Sequence, residues 1–128
     1  MTNFKRVSIR TFLSAIELAR IESELVKINT SDLNYELLEG IDLYLSDDLK
    51  SGFGIRTKNG ELVNVFSTVK KRGNDLLKFA VLVGATCLDC FDGYLVDFYK
   101  KHNFVVYKTV PNWTQGEPSV IYMQLFKK

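Results

Sequence analysis

Residues 62–83 read LVNVFSTVKKRGNDLLKFAVLV, and this stretch contains the pattern that decides the fold. The apolar and β-branched side chains of residues 62–68 predict a strand. The basic loop that follows is made of Lys70, Lys71, Arg72 and Gly73. Asn74 is a suitable N-cap and Asp75 favours a first turn, so a helix is predicted from Asn74 to about Val83. The stretch therefore predicts a strand that leads through a basic loop into a helix.

The segment before this stretch predicts a β-hairpin. Residues 51–57 have the composition of a strand, and residues 58–61 have the composition of a turn. Asn59-Gly60 within that turn is the strongest short-range hairpin signal, because both residues tolerate the left-handed conformation that a tight turn needs. Residues 62–68 are then predicted to be the returning strand.

Downstream, strands and helices alternate. Gly84 fits the end of the first helix. Strands are predicted over residues 86–91, 104–110 and 120–126, with a further helix over residues 93–102. The order strand–helix–strand–helix–strand predicts an α/β fold with a central mixed sheet flanked by helices.

Before the hairpin, the sequence predicts a short strand over residues 4–9 and then two helices. The apolar residues that recur at roughly helical spacing in the first helix are Leu13, Ile16, Leu18, Ile21, Leu25 and Ile28. Residues 29–32 are predicted to end this helix. Residues 33–49 are predicted to form the second helix, with Gly40 as its weak point.

The bulk composition limits the classes of function. A chain of 128 residues with 46% hydrophobic and 25% charged residues fits one globular domain, here residues 1–128. The net charge of +2 is too small to indicate nucleic-acid binding by itself, so any such case rests on local clusters. No stretch is long and apolar enough to span a bilayer, and no secretory signal is recognised. The sequence therefore predicts a cytoplasmic protein.

The two cysteines, Cys87 and Cys90, have a Cys-x-x-Cys spacing. A zinc site needs three or four ligands, and the chain has no second cysteine pair and a single histidine, His102, so no metal site is predicted. A redox-active pair would lie at a helix N-terminus, whereas this pair falls in a predicted strand. We interpret both cysteines as small core residues, which suits a reducing compartment.

The basic loop between the strand and the helix is a candidate phosphate site. Free backbone N–H groups at a helix N-terminus, together with the helix dipole, bind phosphate. The side chains of Lys70, Lys71 and Arg72 would add positive charge. The alternative interpretation is a solvated basic loop that caps a helix. Asp75 favours this alternative, because a carboxylate in the first turn competes with a bound phosphate.

Residues 70–75, KKRGND, resemble the pyrophosphate-binding loop of the Gcn5-related N-acetyltransferases, which reads Arg/Gln-x-x-Gly-x-Gly/Ala. Gly73 matches the central glycine of that motif. Lys70 stands where arginine or glutamine is usual, and Asp75 replaces the last small residue. The resemblance implies that this loop holds the pyrophosphate of acetyl-CoA.

Residues 92–104, DGYLVDFYKKHNF, resemble a second pattern of the same family, Asn-x-x-Ala-x-x-x-Tyr-x-x-x-Gly-Phe. Tyr99 and Phe104 match in place, and Asp92 stands for the asparagine. Asn103 stands for the glycine, and asparagine is the best substitute for glycine in a left-handed conformation. The resemblance implies a helix that carries a tyrosine close to the cofactor.

Residues 84–93, GATCLDCFDG, and residues 111–123 also look like small acetyltransferase-like proteins of bacteria and their phages. The resemblance covers residues 51–126 and implies a role for each site residue. The residues implied to bind acetyl-CoA are Val65, Phe66 and Ser67 through their backbone, Lys70, Lys71, Arg72, Gly73, Asn74 and Asp75 around the pyrophosphate, and Asp92 beside the pantetheine amides. Tyr99 is implied to protonate the leaving thiolate of CoA. The alternative role for Tyr99 is core packing beside Phe98.

The leading hypothesis is an acetyl-CoA-dependent N-acetyltransferase that transfers an acetyl group to an amine of a small molecule or of a protein. The general base is left open between Asp89, Glu61 and a chain of water molecules. The alternative function is a catalytically inactive binding module on the same fold, which would contact another protein through the hairpin or the Trp113 loop.

Two further expectations concern partners. Nucleic-acid binding through the basic loop and through Lys127 and Lys128 ranks lowest, because the sequence has no extended basic stripe and no RNA-binding motif. A predicted edge strand near the C-terminus favours a homodimer.

Overall fold

The computed structural model describes residues 2–29 and 33–126, and the chain divides into two compact units, Met1–Ala85 and Thr86–Lys128. The elements of the first unit are β1 (Phe4–Val7), α1 (Ile9–Glu22), α2 (Glu24–Asn29), a 3₁₀ turn (Glu36–Leu38), β2 (Ile41–Ser46), β3 (Ser51–Arg56), β4 (Glu61–Ser67) and α3 (Gly73–Leu82). Those of the second unit are β5 (Cys87–Phe91), α4 (Tyr94–Lys100), β6 (Phe104–Val110) and β7 (Val120–Leu125). Part of the predicted helix end, residues 30–32, lies outside the described residues. The same holds for Lys127 and Lys128. Among the described helices, none has the length and apolar character that crossing a membrane requires.

The strands of the first unit form an antiparallel sheet in the order β1-β2-β3-β4. Helix α1 covers one face of this sheet, because its apolar side chains recur with the helical period and meet the alternate side chains of β2 and β4. The residues buried at this contact include Phe12, Ile16, Leu43, Leu45 and Phe66. The rings of Phe12 and Phe66 meet edge to face, with centroids 5.7 Å apart.

The other face of the same sheet is aromatic and is covered by α3. Phe53 of β3 stacks on Tyr44 of β2 with ring centroids 5.0 Å apart. Phe79 of α3 lies 6.0 Å from Tyr44 and 5.6 Å from Phe4, measured between ring centroids. These contacts seat α3 on the sheet and so set where the loop that precedes α3 can run.

The predicted helix over residues 33–49 is wrong, because most of this segment is β2 preceded by the 3₁₀ turn. Ile41, Leu43 and Leu45 alternate along β2 and are buried. Tyr44 points to the opposite face, where it packs on Phe53. The alternation of β2 spans only six residues, and Leu37, Ile41 and Leu45 also recur at the i, i+4, i+8 spacing of a helix, so the run resembles a helical one.

The strands of the second unit are antiparallel in the order β5-β7-β6, and the predicted strands and helix of this region are confirmed to within two residues at each end. Helix α4 ends before Asn103, whose φ of 71° confirms the predicted left-handed residue. Phe104 and Met123 are fully buried in this unit. The loop between β6 and β7 carries Trp113, whose side chain is 87% exposed.

Candidate functional site

Strand β4 contains a bulge inside the segment predicted to bind the pantetheine arm. Gly52 pairs with Phe66 and Gly54 pairs with Val63, so two residues of β4 lie opposite one residue of β3. Asn64 is one of the two, and its φ of 56° is left-handed, a conformation that asparagine tolerates. A bulge takes backbone groups out of the regular ladder and redirects side chains. Val65, the second bulged residue, is exposed.

The end of β4 is anchored by serine side chains. The Ser67 hydroxyl donates to the carbonyl of Val69 at 2.8 Å and accepts the Val69 N–H at 3.1 Å. The hydroxyls of Ser51 and Ser67 lie 2.8 Å apart, which joins β3 to the start of the loop. The loop therefore leaves the sheet in one defined direction.

The side chain of Arg72 is engaged within the fold. Its Nη1 donates to both carboxylate oxygens of Asp48, at 2.9 and 2.8 Å, and lies 3.3 Å from the hydroxyl of Ser51. Only 16% of the Arg72 side chain is exposed. The structure thus brings Arg72 together with a carboxylate of the β2–β3 turn, a partner that the sequence analysis did not identify.

Asp48 is held as an anion at neutral pH. Desolvation acts to raise the pKa of Asp48, but hydrogen bonds from the Ser46 hydroxyl, the Lys50 N–H and Arg72, with the charge of Arg72, outweigh it and lower the pKa to about 2. The Ser46 hydroxyl donates to Asp48 at 2.7 Å, and the Lys50 N–H donates at 3.1 Å. The turn therefore presents a fixed negative charge to Arg72.

Acid is expected to weaken the first unit through Asp48. The folded-state pKa of about 2 lies below the ordinary value of 3.8, so the carboxylate stabilises the fold above about pH 4 and this contribution is lost as the pH falls towards 2. We expect Asp48→Asn to lower the free energy of unfolding at neutral pH and to flatten its decline in acid. Urea unfolding across this pH range measures both effects, and parallel curves for the variant and the wild type would contradict the assignment.

Helix α3 begins one residue earlier than predicted. Its N-cap is Arg72, not Asn74, and this cap has no side-chain hydrogen bond. Lys71, just before the cap, has a left-handed φ of 63°. The side chains of Lys70 and Lys71 are exposed, and Gly73 and Asn74 form the exposed first turn. The predicted loop, from Lys70 to Asp75, thus surrounds the N-terminus of α3.

Asp75 accepts a hydrogen bond from outside its own helix. Its Oδ2 accepts the N–H of Thr2 at 2.9 Å. This bond is the largest cause of a lowered pKa for Asp75, ahead of an opposing desolvation effect. The carboxylate is therefore committed to the N-terminal segment while it remains in the first turn of α3.

Tyr99 lies in the second unit and is only 8% exposed. Its ring packs against Phe98 and Phe104, with centroids at 5.5 and 6.1 Å. Burial is the main cause that raises the pKa of Tyr99 to about 12, and the neighbouring Cys90, Tyr94 and Asp89 add to the effect. The phenol therefore stays protonated at neutral pH and is able to donate a proton or a hydrogen bond.

Asp92 lies at the end of β5 and is exposed. Its backbone N–H donates to the carbonyl of Ser119 at 2.8 Å, and the N-cap of α4 is Gly93, which makes no side-chain capping bond. Gly93, and not the carboxylate-bearing Asp92, is therefore the residue that caps α4. Its carboxylate contributes to the raised pKa of Cys90.

The thiols of Cys87 and Cys90 on β5 are half-buried, and neither forms a disulfide. Burial, followed by the charges of Asp89 and Asp92, raises the pKa of Cys90 to about 11, so this thiol is a poor nucleophile at neutral pH. Over the part of the chain that the structure describes, no three acidic, histidine or cysteine side chains are grouped so that they could hold a metal ion.

The predicted site residues fall into two sets. The first runs from the bulge of β4 through the loop to the first turn of α3, and the second comprises Asp92 and Tyr99. The sequence analysis missed the polar side chains that fix the first set, namely Ser46, Asp48 and Ser51. The run SDDLKS at residues 46–51 has the composition of a turn, and this signal was hidden when residues 33–49 were assigned to a helix.

Comparison with known proteins identifies the fold. No protein-family model matches the chain, and no curated protein matches it. The ribosomal-protein-S18-alanine N-acetyltransferase from Escherichia coli aligns with a TM-score of 0.72 at 14% identity, over 98% of this chain and 93% of that chain. NAA60 of Arabidopsis thaliana, in complex with a bisubstrate analogue, gives 0.68 at 10% identity, over 98% and 97%.

A third solved structure, a spermidine N-acetyltransferase SpeG chimera from Vibrio cholerae and hSSAT, gives a TM-score of 0.66 at 12% identity, over 98% of this chain and 95% of that chain. At such low identities the likeness concerns the fold, and it extends over nearly the whole chain in all three cases. The chain therefore has the α/β fold of the Gcn5-related N-acetyltransferases.

Proposed function

We propose that this protein is an N-acetyltransferase that uses acetyl-CoA and acts on an amine of a small molecule or of a protein. The observation that carries the proposal is the fold, and Tyr99 adds to it as a buried phenol at the position where the family resemblance implies a general acid. The fold supports the proposal, because solved structures with this fold include N-acetyltransferases. The cytoplasm is the compartment we propose for it.

The residues of the first unit fit an acyl-CoA in three respects. The bulge at Asn64 and Val65 takes backbone groups of β4 out of the regular ladder, which suits pairing with an amide-bearing arm. Lys70 and Lys71 place two exposed cations beside the N-terminus of α3. Backbone N–H groups at a helix N-terminus favour phosphate. We therefore propose that residues 65–67 hold the pantetheine arm and that the pyrophosphate lies against the loop of residues 70–75, at its backbone N–H groups and exposed lysines.

Acetyl-CoA supplies a thioester carbon that an amine can attack. The contribution of this chain is to hold the donor in position and to provide a proton for the sulfur as the carbon–sulfur bond breaks. The Tyr99 hydroxyl is the proposed source of that proton, and Asp92 is proposed to contact the pantetheine amides. Asp89 and Glu61 are exposed or half-exposed carboxylates, and either one, or water, is proposed to take the proton of the attacking amine.

Calorimetric titration of the purified protein with acetyl-CoA, and separately with CoA, tests the proposal. We expect saturable binding of both, with a Kd between about 1 μM and 1 mM, as is usual for enzyme substrates. The matched control is the same titration with adenosine, which lacks the pyrophosphate and the pantetheine arm. No binding at millimolar acetyl-CoA would refute the enzyme function.

A second function, a catalytically inactive binding module on the same fold, is favoured by two contacts in the loop. Arg72 is paired with Asp48, and Asp75 places a carboxylate where an anion would bind. Such a module would contact a partner protein through the β3–β4 hairpin or through the exposed Trp113 loop. The titration separates the two functions, because the binding module predicts no affinity for acetyl-CoA.

A homodimer is the proposed assembly. Strand β6 lies at one end of the strand order of the second unit, and three of its apolar side chains are exposed, namely Val105, Val106 and Tyr107. Unpaired edges and exposed apolar side chains of this kind are common at subunit contacts. Sedimentation equilibrium of the same samples measures the assembly, and a mass of 14.7 kDa at all concentrations would exclude the dimer.

A further inference from the structure

A network of polar side chains surrounds the loop at residues 68–72. Ser46 and Ser51 are fully buried, yet both are hydrogen-bonded. From Asp48 the hydrogen bonds run through Arg72 to Ser51, then to Ser67, and end on the backbone of Val69. The network therefore connects the β2–β3 turn to both ends of the loop.

Arg72 is the residue on which this network converges. A single nitrogen, Nη1, donates to two carboxylate oxygens and lies within reach of a serine hydroxyl. Charge-assisted hydrogen bonds of this kind are about twice as strong as neutral ones. Asp48 in turn is held by Ser46 and Lys50, so the anchor of Arg72 is itself fixed. A phosphate group would have to displace this anchor before it could take Arg72 as its partner.

Lys71 shows that the loop is constrained. Its left-handed φ of 63° is unfavourable for a residue with a side chain. Conformations of this kind persist where the surrounding structure fixes them. Lys71 lies between Val69 and Arg72, which are the two points where the network holds the loop. The network thus accounts for the strained residue between its two anchors.

We propose that Arg72 is a positioning residue that holds the loop in place from behind, with Asp48 as its anchor, and that it is not a ligand of the cofactor phosphates. The cations left for phosphate are then Lys70 and Lys71, whose side chains are exposed. The exclusion of Arg72 from phosphate binding rests on the proposed function, whereas its role in fixing the loop conformation does not.

The two roles of Arg72 predict opposite effects of Asp48→Asn. If Arg72 binds phosphate directly, removing the competing carboxylate frees the guanidinium and strengthens the binding of acetyl-CoA. If Arg72 positions the loop, the same substitution releases its anchor and weakens binding. The sign of the change in Kd therefore distinguishes a ligand from a positioning residue.

The experiment uses Asp48→Asn, Arg72→Gln and the double variant of the full chain. The control is Asp42→Asn, which removes a partly exposed ion pair elsewhere in the same sheet, in which Arg6 Nη2 lies 2.7 Å from Asp42 Oδ1. Two readouts are recorded for each protein. Hydrogen exchange of the backbone amides of residues 68–74 is followed by mass spectrometry without ligand, and the Kd for acetyl-CoA is measured by calorimetry.

We expect both single variants to exchange the loop amides about tenfold faster and to bind acetyl-CoA about tenfold more weakly, which corresponds to the loss of one charge-assisted contact. The double variant should be no weaker than either single variant, because both substitutions break the same contact. Asp42→Asn should change neither readout. Because each partner of the pair is replaced in a separate variant, the proposal can still be tested if one of the two variants does not fold.

Tighter binding by Asp48→Asn, or loop exchange that matches the wild type, would overturn the proposal. A wild-type protein that binds no acetyl-CoA would refute the proposed function and leave the exchange readout to decide the role of Arg72. In that case, faster loop exchange in both single variants would support the positioning role, and unchanged exchange would overturn it.

Discussion

Tyr99→Phe is expected to lower kcat about 100-fold while the Kd for acetyl-CoA stays within about twofold. General-acid catalysis by a positioned side chain contributes about 10²- to 10⁴-fold, and the lower end applies because water can replace the acid in part. The ring contacts with Phe98 and Phe104 are retained by phenylalanine, so packing changes little. A pKa of about 12 keeps the wild-type phenol protonated at ordinary assay pH.

Release of free CoA with a saturating amine gives kcat, and calorimetry gives Kd. The matched control is Tyr107→Phe, which removes the hydroxyl of an exposed tyrosine on β6 in the same unit. This control should keep the wild-type rate. If Tyr99→Phe retains full activity, Tyr99 is a core residue and the general-acid assignment is wrong. If the variant loses activity only through a raised KM, Tyr99 contributes to binding and not to proton transfer.

Gly52→Ala is expected to destabilise the first unit by about 3 kcal/mol, although alanine ordinarily favours a strand over glycine by about 0.5–1 kcal/mol. A Cβ atom at this position would lie 2.7 Å from the carbonyl oxygen of Tyr44, which belongs to the adjacent strand. It would also lie 2.7 Å from the Leu45 side chain and 2.8 Å from the Phe66 ring. The backbone oxygen cannot move away without disturbing the pairing of β2 with β3.

Gly54→Ala on the same strand is the matched comparison. A Cβ atom there would meet side-chain methyl groups only, and the nearest, the γ-methyl of Ile41, lies at 2.6 Å. These methyls can shift without breaking the strand pairing, although the β-branched Ile41 and Val63 resist rotation about χ1, so we expect a smaller cost of about 2 kcal/mol. Urea unfolding measures both variants, and a loss of 3 kcal/mol corresponds to a midpoint shift of about 1.5 M. Equal losses for the two variants would contradict the assigned role of the Tyr44 backbone.

The second unit could be predicted from the sequence because its elements are separated by clear stop signals. Gly93 lies between β5 and α4, and Asn103, which follows α4, has the left-handed conformation expected of it. The hairpin of β3 and β4 was also predicted, because the dipeptide Asn59-Gly60 is typical of tight turns. Short-range turn chemistry of this kind is local, so a single sequence is sufficient to show it.

The first unit was predicted less well where its structure depends on contacts between distant residues. Strand β2 is defined by its pairing with β1 and β3, whereas Leu37, Ile41 and Leu45 also recur at helical spacing, so the local pattern fits both structures. The predicted first helix is also two helices, which meet at Ser23. Apolar spacing continues across that break, so the pattern alone does not reveal it.

The candidate site could be located by motif but not described in detail. The loop at residues 70–75 and Tyr99 follow from the resemblance, and their roles stay predictions. The pairing of Arg72 with Asp48 joins residues 24 positions apart, and no periodicity encodes such a pair. The bulge in β4 is likewise a matter of register between two strands, which the residue order of either strand does not specify.

The ion pair between Asp48 and Arg72 also has an evolutionary consequence. A substitution at either position alone leaves the other charge without its partner in a partly buried place, which is more costly than the loss of both. We therefore expect the two positions to covary among descendants of this sequence, with acidic and basic residues kept or lost together. A homologue that lacks a basic residue at position 72 is expected to lack the acidic residue of the β2–β3 turn as well.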